Sequence, residues 1–251
     1  MKKLFQLLLD NAAKDRKPGI VMQAADGGET VLFMYGIIYA DWDISALDVA
    51  KALAGMDPKS TVRMRVNSPG GDVFEAKAIV TAMNEFRSGG GKIIAQIDAL
   101  AASCMSWIVL AADEVEIAQG AFMMVHNAMG GCYGSAADLS ATASLLTKVE
   151  GSIVAEYVAA TGKSTAEVQA WLDAETWFDA QEAVDNGFAD RIITQLSEKP
   201  DNVAAPKWNL AAYEKAPKAL LAPPAAPPAN EPDFEAVRAH NERRLQLFQF
   251  A

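Results

Sequence analysis

The chain has 251 residues, 51% hydrophobic and 22% charged, with a net charge of −10. That length holds one sizeable domain with appendages, and the acidic balance argues against a nucleic-acid binder, which shows a basic face. No run reaches the roughly 18 apolar residues of a membrane span. Asp10 cuts short the apolar opening "MKKLFQLLLD" and no cleavage site follows, so a cytoplasmic protein is expected.

Residues 1–27 are read as an N-terminal segment and 28–195 as the body. "TVLFMYGIIYA" (30–40) is a buried strand rich in β-branched and aromatic residues. "ISALDVAKALAGM" (44–56) has helical spacing, with Ile44, Leu47, Ala50 and Leu53/Ala54 as its apolar stripe. A strand in "STVRMRVNSPGG" (60–71) leads to a helix over 72–87, striped by Val73, Ala76, Ile79/Val80 and Met83. "GKIIAQIDAL" (91–100) is a further strand, a helix begins near Ser103, and 113–127 holds two short strands. Strand–helix alternation of this kind predicts an α/β fold with a mostly parallel sheet. A long helix is expected over 135–162, stopped by Gly162. It is followed by two helices that open with capping boxes, Ser164/Glu167 and Asp179/Glu182.

Beyond 195 the composition shifts. Six of the eleven prolines fall in "APKALLAPPAAPPANEPDF" (216–234), and such Ala/Pro tracts bury too little surface to order themselves. The segment 196–234 is therefore read as a linker and 235–251 as a short charged tail, together a mobile Pro-rich C-terminus.

The chemistry is sparse. The two cysteines, Cys104 and Cys132, make no disulfide framework, and of the two histidines only His126 lies in the body. With no HExxH, no paired Cys/His spacing and no GxxxxGK[ST], no metal and no cofactor are assigned. In "ALAASCMSW" (99–107) a hydroxyl and a thiol sit side by side in an uncharged stretch. Ser103 is either a small gap-filler or a nucleophile at the start of a buried helix. His126 ends the apolar run "AFMMVHN". "NSPGG" (67–71) places a rigid proline and two glycines between a strand and a helix, where exposed amides suit an anion or an oxyanion.

Taken together, "NSPGGDVFEA", "ALAASCMSW", "MMVHN" and "AETWFDAQEAVDNGFAD" resemble the proteolytic subunit of the Clp protease family across about 28–195. The phage head-maturation branch is the nearest in flavour. The resemblance implies a Clp/crotonase-like spiral of β-β-α units with a protruding long helix. It makes Ser103 the nucleophile, His126 the general base, and the amides of Gly71 and Cys104 the oxyanion hole. Aligning through Ala180, Glu182 and Ala183 puts Glu175 at the acidic position, where the family has Asp, and Asp173 competes two residues away. The implied partners are protein or peptide substrates, further copies in a homo-oligomeric ring, and an AAA+ unfoldase or phage capsid proteins. Kept beside this reading are a Cys/His pair using Cys104 or Cys132, a crotonase-like acyl-CoA enzyme, a housekeeping ATP-dependent Clp subunit and an inactive capsid-assembly scaffold.

Overall fold

The computed structural model of the chain describes residues 20–24, 29–40, 42–194, 208–218 and 220. Eight strands form one sheet: β1 (Ile20–Ala24), β2 (Thr30–Tyr35), β3 (Thr61–Ser68), β4 (Lys92–Ala102), β5 (Glu114–Ala118), β6 (Phe122–Val125), β7 (Thr176–Phe178) and β8 (Arg191–Ile193). The order is β1-β2-β3-β4-β5-β8, with β1 antiparallel to β2 and every later pair in that row parallel. The helices are α1 (Ala46–Ala54), α2 (Val73–Ser88), α3 (Cys104–Val109), α4 (Ala136–Thr161), α5 (Thr165–Asp173) and α6 (Ala180–Asp185). The α/β class expected from the alternation is the class that forms. Among the described residues no helix is long and apolar enough to cross a membrane.

Strand β4 has two sets of partners. Its Ile94–Ile97 stretch pairs with β5, whereas Leu100–Ala102 pairs with β6, which in turn pairs antiparallel with β7. A strand covered on both faces must be apolar at successive positions, and "ALAA" supplies that. Successive side chains point to opposite faces. Ile93, Ala95, Ile97 and Ala101 join the main core with Ile79, Met83 and Ile108 of the helices. On the other face Asp98 accepts hydrogen bonds from Arg65 Nε (2.8 Å), Gln96 Nε2 (2.7 Å) and the Tyr35 hydroxyl. Arg65 and Asp98 are 1% and 0% exposed, and pairing is what makes such burial tolerable.

Several helices sit as their sequences suggest, and some details differ. Asp72 caps α2, and the capping boxes Ser164/Glu167 and Asp179/Glu182 close as read, joined by a third, Ser135/Asp138. In α1 the buried face is Val49, Ala52 and Leu53, while Leu47 is exposed; Ile44 is buried but precedes the helix, whose cap is Ser45. The stripe is thus rotated from the expected one. In α4 Val149, Ile153, Val154 and Tyr157 are buried, whereas Leu139 and Leu145 remain about half exposed (52% and 50%).

The boundaries of the body also differ. Residues 20–24, read as part of an N-terminal segment, form β1 against β2. Inside the span read as linker, Trp208, Leu210, Ala212 and Tyr213 are buried on Ile37, Leu100, Ala102 and Met124. These anchors precede the Ala/Pro tract and cover the second face of β4 and β6. We call residues 208–216 the strap. Most of the Ala/Pro tract and the whole charged tail lie outside the described residues.

Candidate active site

Ser103 stands at the junction of β4 and α3, with φ 55° and ψ −130°. Backbone strain of this kind persists only where surrounding structure imposes it, and it concentrates at functional positions. Here the Ser103 N–H donates to the Met124 carbonyl at 2.9 Å, and its own carbonyl accepts from Ser106 N (3.0 Å) and Ser106 Oγ (2.5 Å). His126 follows the last residue of β6, the strand that pairs with the end of β4 through Ala102 and Met124. Adjacent strands therefore deliver the two side chains, and Ser103 Oγ lies 2.8 Å from His126 Nε2.

The "NSPGG" turn is pressed onto this pair. Gly70 has φ 90°, and a Cβ there would lie 2.6 Å from Ser103 Cβ. A Cβ on Gly71 would lie 2.0 Å from the Ile38 carbonyl oxygen. Only glycine permits both approaches. Ile38 N donates to the Gly70 carbonyl (3.0 Å) and Asp72 N to the Ile38 carbonyl (2.7 Å), which fixes the chain on either side of Gly71. Gly71, Ser103, Cys104 and His126 line one recess of about 30 Å³, walled by Val73, Trp107, Ile153 and Tyr157.

Burial holds the half-buried His126 below the usual imidazole range, while the Glu175 charge and the Asn127 main chain pull the other way. The neutral ring, proton on Nδ1, can accept the Ser103 proton at Nε2. Burial likewise pushes the Cys104 thiol up to about 12, although the amides of Gly71 and Cys104 both favour its charged form. A Cys104 thiolate is thereby disfavoured, and it is Ser103 that faces the imidazole. Cys132 contacts the Asp138 carbonyl at 3.6 Å.

The two carboxylates part company. Glu175, with φ 48°, accepts from the amides of Glu214 (3.0 Å) and Lys215 (2.7 Å) and from the Trp177 indole (3.3 Å). Its charge acts on His126, yet no hydrogen bond joins them. Asp173 is exposed and accepts from Asn127 Nδ2 (2.8 Å) and Gln169 Nε2 (3.0 Å), which hold its carboxyl below the usual range. Among the described residues no group of three or more His, Cys, Asp or Glu could hold a metal ion.

The family model for Clp protease matches residues 29–196. The chain belongs to the Clp protease family. It is 30% identical over 153 residues to ATP-dependent Clp protease proteolytic subunit 2 of Mycolicibacterium paratuberculosis, covering 58% of this chain and 72% of that one. A proteolytic subunit 1 from Leifsonia xyli is 32% identical, covering 56% and 71%. The proteolytic subunit of Leuconostoc citreum is 26% identical over 199 residues, 73% of this chain and 98% of its own. The Clp protease match runs from β2 to β8 and stops short of the strap, whose Tyr213 and Trp208 the sequence reading passed over. The signal in the sequence is the cluster of Trp208, Leu210 and Tyr213 just ahead of the Ala/Pro tract, and these pack on Leu100, Ala102 and Met124.

Proposed function

We propose that this Clp-family protease is a serine endopeptidase working through an acyl-enzyme on Ser103. As Ser103 Oγ attacks the scissile carbonyl carbon, His126 Nε2 takes its proton. The C–O bond forms, the carbonyl π pair moves onto oxygen, and the amides of Gly71 and Cys104 hold that oxyanion. His126 then gives its proton to the leaving amine as the C–N bond breaks. Water repeats the steps to release the acid. Glu175 stabilises the imidazolium through its charge. The observation that carries this reading is the 2.8 Å Ser103–His126 contact inside a recess shared with Gly71 and Cys104. A crotonase-like enzyme needs no such pair, and an inactive scaffold would have no reason to keep it.

The largely apolar walls of the recess suit a small apolar group beside the cleaved bond. The half-exposed Leu139 and Leu145 of α4 fit a contact between copies in a homo-oligomeric ring in the cytoplasm. An AAA+ unfoldase partner is favoured by relatives named as ATP-dependent. The "NSPGGDVFEA" and "DAETWFDAQEA" segments favour the phage head-maturation branch, with capsid proteins as substrates.

The test is labelling by a fluorophosphonate probe, mapped by mass spectrometry, alongside cleavage of casein and of phage capsid proteins. Labelling at Ser103, lost in Ser103→Ala together with cleavage, is expected. An unlabelled Ser103 in folded protein overturns the reading.

A further inference from the structure

We infer that Tyr213, with the two amides that follow it, is a positioning support of this active site, supplied from outside the stretch that the family match covers. The inference rests on the peptidase reading of Ser103 and His126. Tyr213 is 4% exposed, and its hydroxyl donates to the Pro69 carbonyl at 2.6 Å, gripping the turn that carries Gly71. Its ring meets the His126 ring edge-on, with centroids 5.5 Å apart, and the Trp177 ring at 5.8 Å. The next two residues give their amides to the two oxygens of Glu175, and Lys215 Nζ reaches the Ala174 carbonyl at 2.5 Å. Trp208 ties the other end of the strap to Asn67 Oδ1 at 2.9 Å. One short segment thus touches the oxyanion turn, the base and the acid.

Tyr213 is not among the residues that wall the recess. Its ring backs the imidazole and its hydroxyl stands close to Ser103 as well as to Pro69, so its role is to position both members of the pair. A backing ring keeps water from His126, and water is what would favour the charged imidazolium. The titratable groups around the imidazole are Ser103 and Cys104 from the β4–α3 turn, Glu175 from the α5–β7 turn and Tyr213 itself. Asp173 of α5 and Glu150 of α4 stand further off, at Asn127 and Ala128. Of these, only Glu175 opposes the effect of burial.

The experiment compares full-length wild type, Tyr213→Phe and Tyr213→Ala by two measurements. One is the pH dependence of Ser103 labelling by diisopropyl fluorophosphate, read by intact mass. The other is NMR titration of the His126 ring, told apart from His240 by His240→Gln. Tyr213→Ala should move the His126 titration up by about half a pH unit or more and slow labelling about tenfold. Tyr213→Phe keeps the ring, so its titration should stay in place while labelling slows a few-fold through loss of the hydroxyl's contacts with Pro69 and Ser103. If Tyr213→Ala does not fold, Tyr213→Leu takes its place. Identical titration and labelling in all folded variants would overturn the inference and leave Tyr213 as packing. A wild type unlabelled at Ser103 but showing the titration shift would instead overturn the peptidase reading alone.

Discussion

Ser103 and Glu175, at φ 55° and 48°, are the two non-glycine residues with positive φ among those described, and both act on the His126 imidazole. Holding a side-chain-bearing residue in that region costs of order 1–3 kcal/mol. Two such residues converging on one ring is what a site shaped for chemistry, and not for stability, would show.

Relieving that strain should stabilise the fold. Ser103→Gly and Ser103→Ala both remove Oγ, but only glycine tolerates φ 55° freely. Ser103→Gly should be more stable than Ser103→Ala by about 1 kcal/mol in urea unfolding, with both variants inactive. Equal stability would show the turn to be unstrained.

The acids are separable by substitution. Glu175 acts on His126 through charge, so Glu175→Gln should lower turnover about 10–100-fold, the scale of a lost neighbouring charge. That is less than the roughly 10⁴-fold loss seen when a hydrogen-bonded orienting carboxylate is replaced. Asp173→Asn should leave turnover within about twofold, because that carboxylate serves Asn127 and Gln169. Peptide-cleavage kinetics on the two variants decide it, and the reverse order would make Asp173 the acid.

Burial lowers the affinity of folded His126 for protons, and this fixes a direction for both activity and stability. The acid limb of kcat/KM should fall below the usual imidazole value of about 6.5. The unfolded chain binds the extra proton first as pH drops, so stability is full above about 6.5 and declines as pH falls toward the folded value, by at most about 1.4 kcal/mol per pH unit. In His126→Gln that part of the dependence should vanish from urea titrations run between pH 5 and 8.

The oxyanion turn tolerates no side chain. Gly71→Ala would put a Cβ 2.0 Å from the Ile38 carbonyl oxygen. It should cost about 3 kcal/mol of stability and cut the rate of Ser103 labelling in whatever folds. A Gly71→Ala protein with wild-type melting and labelling would remove Gly71 from the site.

The thiols should differ in reactivity. Cys104 is buried and its thiol is pushed up to about 12, so iodoacetamide at pH 8 should spare it in the folded protein and modify the more exposed Cys132. Peptide mapping before and after unfolding reads the difference.

Elements with strong local signals were legible in the sequence. The capping residues Ser164 and Asp179 and the apolar runs of β3 and β4 mark their own ends, and the Ser103–His126 pair followed from the resemblance to the Clp protease family. What escaped had weak local signals. The three-residue strands β7 and β8 are too short to show alternation, and they exist because β6 and β5 offer them edges. The buried Arg65–Asp98 pair is recognisable only once β3 and β4 are neighbours. The strap looked like linker because its anchors are few and its partners are scattered along the chain, as far back as Asn67 for Trp208 and as near as Glu175 for Glu214. Glu175 could be placed by alignment, but its engagement by Glu214 and Lys215 could not.

The pairing of β4 with β6 has a consequence for how this protein can vary. Because Ala102 sits opposite Met124 and the Ser103 amide is bonded to the Met124 carbonyl, the spacing of nucleophile and base is gauged by a ladder of main-chain bonds. A slip of one residue would turn Ser103 or His126 to the wrong face of its strand, so the ladder is the part that cannot drift. Downstream of it, the stretch 129–134 belongs to no strand of that ladder, so a change there leaves the gauge at its setting.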